Sequence, residues 1–162
     1  TNADVLLILG PSGAGKSHLA QALGHEACRK GHDVFCARTD LLLKELWSAQ
    51  GDGSRRRRLR HIIDIDLLIL DDFGLIPLTP EQQTDLYEII CGRYEHRATI
   101  YTSNRDFAEW MTVFSNSLLA SAAMDRLVHR AHQFTITGKS YRAETFTKRH
   151  RSLSAPSQRQ PS

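Results

Sequence analysis

A glycine-rich segment near the start of the chain constrains its fold more than any other feature. Residues 10–17 read Gly-Pro-Ser-Gly-Ala-Gly-Lys-Ser, which fits the pattern G-x-x-x-x-G-K-[ST] of a phosphate-binding loop. The apolar run Val5–Leu9 precedes it, and apolar residues at helical spacing follow it. A glycine-rich turn that binds nothing would not account for strand, lysine, serine and helix in this order. The sequence therefore predicts a loop that binds nucleotide phosphates.

Each residue type in this loop suits the binding of phosphate. The glycines allow a tight backbone whose N–H groups point inward at phosphate oxygens. Lys16 is placed to neutralise the β- and γ-phosphates, and the Ser17 hydroxyl is placed to coordinate Mg²⁺. We therefore expect ATP and Mg²⁺ as cofactors. The predicted nucleotide contacts are Gly10, Pro11, Ser12, Gly13, Ala14, Gly15, Lys16, Ser17 and His18.

Length and composition are those of one soluble domain. The chain has 162 residues, of which 41% are hydrophobic and 24% charged. No apolar run approaches the ~20 residues that span a bilayer, so we expect no membrane partner and a cytoplasmic location. Because Cys28, Cys36 and Cys91 lack C-x-x-C spacing, we expect reduced, mostly buried thiols. Since Thr1 is not an initiator residue, we also expect a piece of a longer protein.

Positive charge is concentrated in two places. The net charge is +3, but Arg55, Arg56, Arg57, Arg58 and Arg60 place five positive charges within six residues. Residues 138–162 are also strongly basic, so the rest of the chain is net negative. Such clustering suits a polyanionic partner such as nucleic acid. The alternative is a solvated arginine-rich face and a disordered tail.

Strands and helices alternate along the sequence. Apolar runs predict strands over residues 5–9, 34–37, 67–70, 98–103 and 134–137. Helical periodicity predicts helices over residues 16–30, 55–63 and 118–131, one that Thr39 or Asp40 caps, and one that Thr79 caps with Pro80 in its first turn. This alternation indicates an α/β fold, a parallel five-stranded sheet with helices on both faces.

Two further polar sites follow predicted strands. Leu67–Leu70 ends in Asp71 and Asp72, which is the Walker B pattern. Asp71 would hold Mg²⁺ opposite Ser17, directly or through water, and Asp72 would polarise the water that attacks the γ-phosphate. The alternative is that the two acids cap a turn. Because the carboxyl ends of parallel strands share one edge, both acids and the phosphate loop should converge there.

Asn104 follows the fourth predicted strand at the same edge. Its amide can donate to a γ-phosphate oxygen and accept from the attacking water. Asparagine is also a preferred turn residue, so the residues alone leave both interpretations open. The later aromatic residues Phe107, Trp110 and Phe114 could stack on bases or dock a partner, but we expect at least two of them to pack in the core.

Six motifs in one order carry a family resemblance. They are the phosphate loop, Leu67–Gly74, Pro77–Pro80, Thr102–Asn104, Met124–Leu127 and Gly138–Arg142. Together they resemble the AAA+ ATPase domain of IstB-like proteins, the transposition helper ATPases of bacterial insertion sequences, which are similar to DnaC-type helicase loaders. The resemblance implies an ATPase domain over residues 1–150 and leaves 151–162 as a disordered basic tail. The family's N-terminal helical region is absent from this sequence.

The resemblance also implies roles for single residues. Asn104 resembles the sensor of the γ-phosphate, and Arg126 resembles an arginine finger that completes a neighbouring subunit's site. Without the family, an ion pair between Arg126 and Asp125 would be the better interpretation. Arg142 resembles a second nucleotide-sensing arginine. Many relatives have Asp-Glu where this chain has Asp71-Asp72, and the shorter side chain of Asp72 puts the hydrolysis rate in doubt.

The implied function is a DNA-dependent molecular switch. The resemblance implies that the protein assembles with ATP into an oligomer on DNA and recruits a transposase. The arginine run over residues 55–60 would then contact phosphates independently of sequence. A DnaC-like helicase loader is the alternative. A small-molecule kinase is a weaker alternative, since the sequence shows no clear lid insertion.

Overall fold

A five-stranded parallel sheet forms the centre of the protein, as the sequence predicts. The computed structural model describes residues 3–138. The strands are β1 (Val5–Leu9), β2 (Val34–Arg38), β3 (Leu67–Asp71), β4 (Ala98–Ser103) and β5 (Ala131–Thr135). Their order across the sheet is β2-β3-β4-β1-β5, and every neighbouring pair is parallel. Strand β1 therefore lies between β4 and β5, and its carboxyl end leads into the phosphate loop.

Helices cover both faces of this sheet. They are α1 (Lys16–Arg29), α2 (Thr39–Ser48), α3 (Arg55–Asp64), α4 (Pro80–Arg93) and α5 (Ser117–His129), with a 3₁₀ helix over Phe107–Val113. Ala20 of α1 packs against Ile8 and Ile69 on one face. The opposite face packs against α2 to α5 through residues such as Leu7 and Leu68. Because side chains alternate along a strand, these continuous apolar strands are buried on both sides. Among residues 3–138, none of the helices combines the length and apolar character needed to cross a membrane.

The fifth strand begins earlier in the chain, nearer the end of α5, than the sequence predicts. We expected residues 134–137, but β5 spans Ala131–Thr135 and pairs with β1 from Val5 opposite Ala131. It is an edge strand, and its side chains are mostly exposed. Its first residues therefore do not form the apolar run by which the central strands were predicted. The prediction rested on the apolar residues Phe134 and Ile136, and it therefore placed the start of the strand three residues too late. Helix α5 accordingly ends at His129, two residues before the predicted end.

The prediction of mostly buried cysteines is wrong. Cys28 and Cys36 are exposed and Cys91 is partly buried, and all three are free thiols. Cys36 lies on β2, which is the other edge of the sheet. Composition alone cannot separate an edge strand from a central one, which explains the error at Cys36, whereas Cys28 lies in the last turn of α1.

The aromatic residues after β4 pack as predicted. Trp110 is fully buried, and its ring centroid lies 4.2 Å from that of Phe73. Phe114 is also buried. The Trp110 indole N–H donates to the main-chain oxygen of Arg105 at 3.3 Å. This packing anchors the segment that follows Asn104 to the segment that follows the two aspartates.

Candidate nucleotide site

The glycine-rich loop joins β1 to α1 in a conformation that depends on its glycines. Gly13 and Gly15 have φ angles of 79° and 92°, a region in which side-chain-bearing residues are strained. Gly10 lies against the chain after β5, where a Cβ atom would come within 2.7 Å of the Ile136 carbonyl oxygen. Its N–H donates to the Ser103 oxygen at 3.2 Å. Helix α1 begins at Lys16, so its N-terminal end faces the loop.

Lys16 is held close to the loop. Its side chain is 5% exposed, and Nζ donates to the Pro11 carbonyl oxygen at 2.7 Å. The ammonium group therefore lies against the backbone that the pattern assigns to phosphate binding.

Ser17 and Asp71 meet although 54 residues separate them in sequence. The Ser17 hydroxyl lies 2.8 and 2.9 Å from the two carboxylate oxygens of Asp71. Thr102, on the neighbouring strand β4, also donates its hydroxyl to this carboxylate. Two oxygen ligands at the 2.0–2.1 Å distance typical of octahedral Mg²⁺ are about 3 Å apart, so the Ser17 and Asp71 oxygens fit adjacent positions around this ion.

Asp72 adopts a backbone conformation that favours aspartate or asparagine. Its φ angle is 54°, and short polar side chains tolerate this left-handed region better than others. The Asp72 N–H donates to the Thr102 hydroxyl oxygen at 3.0 Å, which fixes the turn. The carboxylate lies 4.0 Å from Nε of Arg38, at the end of β2. Asp72 therefore lies between the phosphate loop and the edge strand.

These groups line one open cleft of about 800 Å³, which is large enough for a nucleotide. The predicted residues that the structure brings together there are Ser12, Gly13, Ala14, Gly15, Lys16, Ser17, His18, Asp71, Asp72 and Asn104. Asn104 is exposed toward the cleft. The preceding Ser103 donates its hydroxyl to the Phe73 oxygen at 2.7 Å, which joins the turn after β4 to the turn after β3.

Arg126 lies away from this cleft. It lines a smaller depression together with Val5 and Thr99, near the amino ends of β1 and β4. The five residues of β1 separate that edge from the loop, a distance of about 15 Å at 3.3 Å per residue. Arg126 and Asp125 are both within the described residues and do not form the alternative ion pair. Arg142 lies outside the described residues.

The arginine run forms helix α3 and divides into two groups. Leu59 and Ile62 are buried on its inner face, as predicted. Arg55 also points inward and pairs with Asp85 of α4, whose side chain is only 2% exposed. This hydrogen bond raises the pKa of Arg55. The exposed residues of the run are Arg56, Arg57, Arg58 and Arg60.

A protein-family model identifies the family of this chain. The model described as IstB-like ATP binding protein matches residues 1–150. The chain belongs to the IstB-like ATP-binding protein family. A relative from Sinorhizobium fredii, named "Putative insertion sequence ATP-binding protein", is 46% identical over 86% of this chain and 57% of its own length. "Insertion sequence IS21 putative ATP-binding protein" of Pseudomonas aeruginosa is 38% identical over 85% of this chain and 52% of its own. The IstB-like chain thus spans just over half of these relatives.

Solved structures show the same AAA+ fold. A DnaC helicase loader matches the IstB-like chain with a TM-score of 0.71 and 24% identity, over 83% of this chain and 79% of the other. A replication initiator DnaA bound to AMPPCP and single-stranded DNA matches with a TM-score of 0.72 and 21% identity, over 97% and 48%. The family and fold predicted from the six motifs are confirmed.

Sequence reasoning missed three residues of this IstB-like site. Thr102 contacts both aspartates, and Arg38 lies beside Asp72. Thr39 does not cap α2, since Arg38 occupies the N-cap position. The Thr39 hydroxyl instead donates to the Asp71 main-chain oxygen at 3.0 Å. A polar residue at the carboxyl end of each strand was the available signal for all three.

Proposed function

We propose that this IstB-like domain binds ATP with Mg²⁺ and hydrolyses it as a molecular switch. The observation that carries the proposal is the convergence of the Ser17 hydroxyl on the Asp71 carboxylate beside a glycine loop. A hydroxyl and a carboxylate are hard oxygen ligands, and helix α1 directs its N-terminus at the same place. Such a set suits a metal-bound polyphosphate better than a neutral ligand.

The residues of the cleft divide the chemistry among them. The loop N–H groups and Lys16 neutralise the phosphates, while Ser17 and Asp71 hold Mg²⁺, which shields the charge of the β- and γ-phosphates when bound. Asp72 accepts a proton from the attacking water, and Asn104 orients that water against the γ-phosphate. Each of these side chains lines the same cleft.

Arg126 completes the site of a second copy of the chain. Its position near the amino ends of the strands keeps it from the chain's own phosphate loop. A guanidinium supplied by a neighbouring subunit stabilises the charge of the transition state and is worth ~10³–10⁵ in rate. Hydrolysis therefore requires assembly. In this switch, the bound nucleotide in turn determines whether the oligomer forms.

DNA is the proposed scaffold for this assembly, and a transposase is the proposed partner. Four exposed arginines on α3 suit contacts with several phosphates that do not read bases. The names of the relatives in Sinorhizobium fredii and Pseudomonas aeruginosa refer to insertion sequences, which favours a transposase. We place this activity in the bacterial cytoplasm, where the element, ATP and DNA are together.

A helicase loader is the second candidate. The fold match with a DnaC helicase loader favours it, because that match covers 79% of the loader's chain. Capture of a transposase or of a replicative helicase by the immobilised ATP-bound protein separates the two candidates. We expect the transposase to bind and the helicase not to bind.

Assembly on DNA tests the proposed function. The protein is mixed with duplex DNA in the presence of ATP, of ADP or of no nucleotide, and its mass is measured by light scattering. We expect large complexes on DNA with ATP but not with ADP or without nucleotide. Lys16→Ala should form no such complexes. Assembly that ignores the nucleotide, or Lys16→Ala behaving like the unaltered protein, would refute the switch.

A further inference from the structure

Two aromatic rings, one on α4 and one directly after it, contact the Arg126 side chain. The guanidinium carbon of Arg126 lies 5.8 Å from the ring centroid of Tyr87 and 6.0 Å from that of Tyr94. These tyrosines are seven residues apart, about two helical turns, so they lie on one face of α4. The guanidinium carbon is thus nearly equidistant from the two ring centroids and lies within cation–π distance of both.

This contact orients the guanidinium and leaves most of its donors available. One nitrogen donates to the Ala122 main-chain oxygen at 2.9 Å, one turn earlier on α5. Across residues 3–138, no carboxylate oxygen lies within 4.0 Å of the guanidinium nitrogens. An arginine has five N–H donors, and a ring face attracts the cation without consuming them. The remaining N–H groups can therefore meet an anion that comes from outside the chain.

The Tyr94 ring is itself fixed. Its hydroxyl oxygen lies 2.7 Å from Nδ1 of His129, the last residue of α5. Tyr94 directly follows the last residue of α4, so this hydrogen bond joins the ends of the two helices. The ring cannot turn away from Arg126 without breaking it.

We propose that Tyr87 and Tyr94 are positioning residues that hold Arg126 ready for the γ-phosphate in a second copy's nucleotide cleft. The proposal rests on the proposed function, in which Arg126 acts between subunits. A donor that is already in place stabilises developing charge without reorganisation, and a displacement of about 1 Å can cost ~100-fold in rate. The two tyrosines therefore affect the rate of hydrolysis and not the affinity for ATP.

Mixed oligomers test this positioning role directly. Arg126→Ala protomers keep an intact phosphate loop, and Asp72→Asn protomers bind ATP without hydrolysing it and keep Arg126, so mixing the two inactive variants on DNA should restore hydrolysis. Adding Tyr87→Leu or Tyr94→Leu to the Asp72→Asn protomer should then reduce the restored kcat roughly tenfold, with KM unchanged. Tyr87→Phe keeps the ring and should restore hydrolysis within about twofold. Thr84→Ala, on an exposed face of the same helix, is the matched control.

The possible outcomes separate this inference from the proposed function. If mixing restores no hydrolysis, the action of Arg126 between subunits fails. If mixing succeeds and protomers with a leucine variant supply Arg126 as effectively as protomers that keep both tyrosines, the positioning role alone is wrong. Should a leucine variant not fold, the Hε resonance of Arg126, identified by its loss in Arg126→Lys, provides a second measurement. We expect the two rings to shift it upfield, and an unshifted resonance would overturn the inference.

Discussion

The Ser17 hydroxyl donates to Asp71 at 2.8 Å, linking the start of α1 to the end of β3. This contact spans the cleft between two strands that are not neighbours, since β4 lies between β1 and β3. Thr102 supplies the bridge from β4 by donating to the same carboxylate. The oxygen atoms of one helix start and two strand ends thus come together at the place where Mg²⁺ is proposed to bind.

Ser17→Ala should remove the dependence of ATP affinity on Mg²⁺. Loss of one oxygen ligand to the ion should weaken binding of Mg-ATP roughly tenfold, the size expected for a hydrogen bond or ligand contact to a charged group. Binding of ATP in the presence of a chelator should change little. Titration of a fluorescent ATP analogue with and without Mg²⁺ measures both affinities. Ser12→Ala, a hydroxyl of the same loop, is the control and should keep the Mg²⁺ dependence.

Asp72→Asn should abolish hydrolysis and preserve binding. Asparagine tolerates the φ angle of 54° but cannot accept the proton of the attacking water, so kcat should fall at least ~100-fold. The control is Asp72→Glu, which keeps the carboxylate and extends it by one methylene. Steady-state hydrolysis and equilibrium binding are measured side by side. Equal loss of binding and hydrolysis in Asp72→Asn would indicate a structural role.

Replacement of Arg57 and Arg58 with glutamine should weaken DNA binding on every sequence. Each phosphate contact contributes about one unit to the salt dependence of log K, so the slope should fall by about two. Arg29→Gln is the matched control, because Arg29 is an exposed arginine on α1, which covers the opposite face of the sheet. Fluorescence anisotropy over a range of salt concentrations gives these slopes. An unchanged slope for the double variant would place the DNA surface elsewhere.

Arg93→Met should destabilise the fold strongly. Arg93 is 2% exposed and donates to Thr99, to three carbonyl oxygens at the end of α3 and to Ala98. Burial lowers its pKa to about 10, so the guanidinium remains charged near neutral pH. Removing it leaves buried acceptors unpaired and should lower the free energy of unfolding by about 3–5 kcal/mol.

Urea denaturation measures the effect of Arg93→Met, and Arg97→Met supplies the control. Arg97 forms a partly exposed ion pair with Asp66 at 3.1 Å, and such pairs contribute little to stability. Similar losses in the two variants would contradict the assignment of Arg93 as the side chain that joins α3, α4 and β4.

The sequence predicts the local parts of this molecule better than the contacts between distant segments. The phosphate loop and the strand before Asp71 are local patterns, and both lie where expected. Thr102 and Arg38 gain their importance only when parallel strands bring their ends to one edge, and the sequence at a strand end does not tell which polar side chain will contact the aspartates. The five arginines look equivalent in sequence, yet a partner 30 residues away, Asp85, draws Arg55 inward.

Edge position explains two errors of the sequence analysis, the bounds of β5 and the exposure of Cys36. Strand β5 and Cys36 both lie at an edge of the sheet, where hydrophobic patterning is weak because one side of the strand has no neighbour. Which strand occupies the edge depends on the order β2-β3-β4-β1-β5, and this order follows from packing across the whole sheet. The central strands β1 and β3, which are apolar throughout, were predicted to within one residue.

The dependence of the hydrolysis rate on protein concentration tests most directly whether the site is completed between subunits. The rate per protomer is measured with saturating Mg-ATP and DNA over a thousandfold range of protein concentration, with Arg126→Ala in parallel. We expect the rate per protomer to rise steeply with concentration and then to level off, and Arg126→Ala to remain low throughout. A constant rate per protomer, unaffected by Arg126→Ala, would contradict a site shared between two copies.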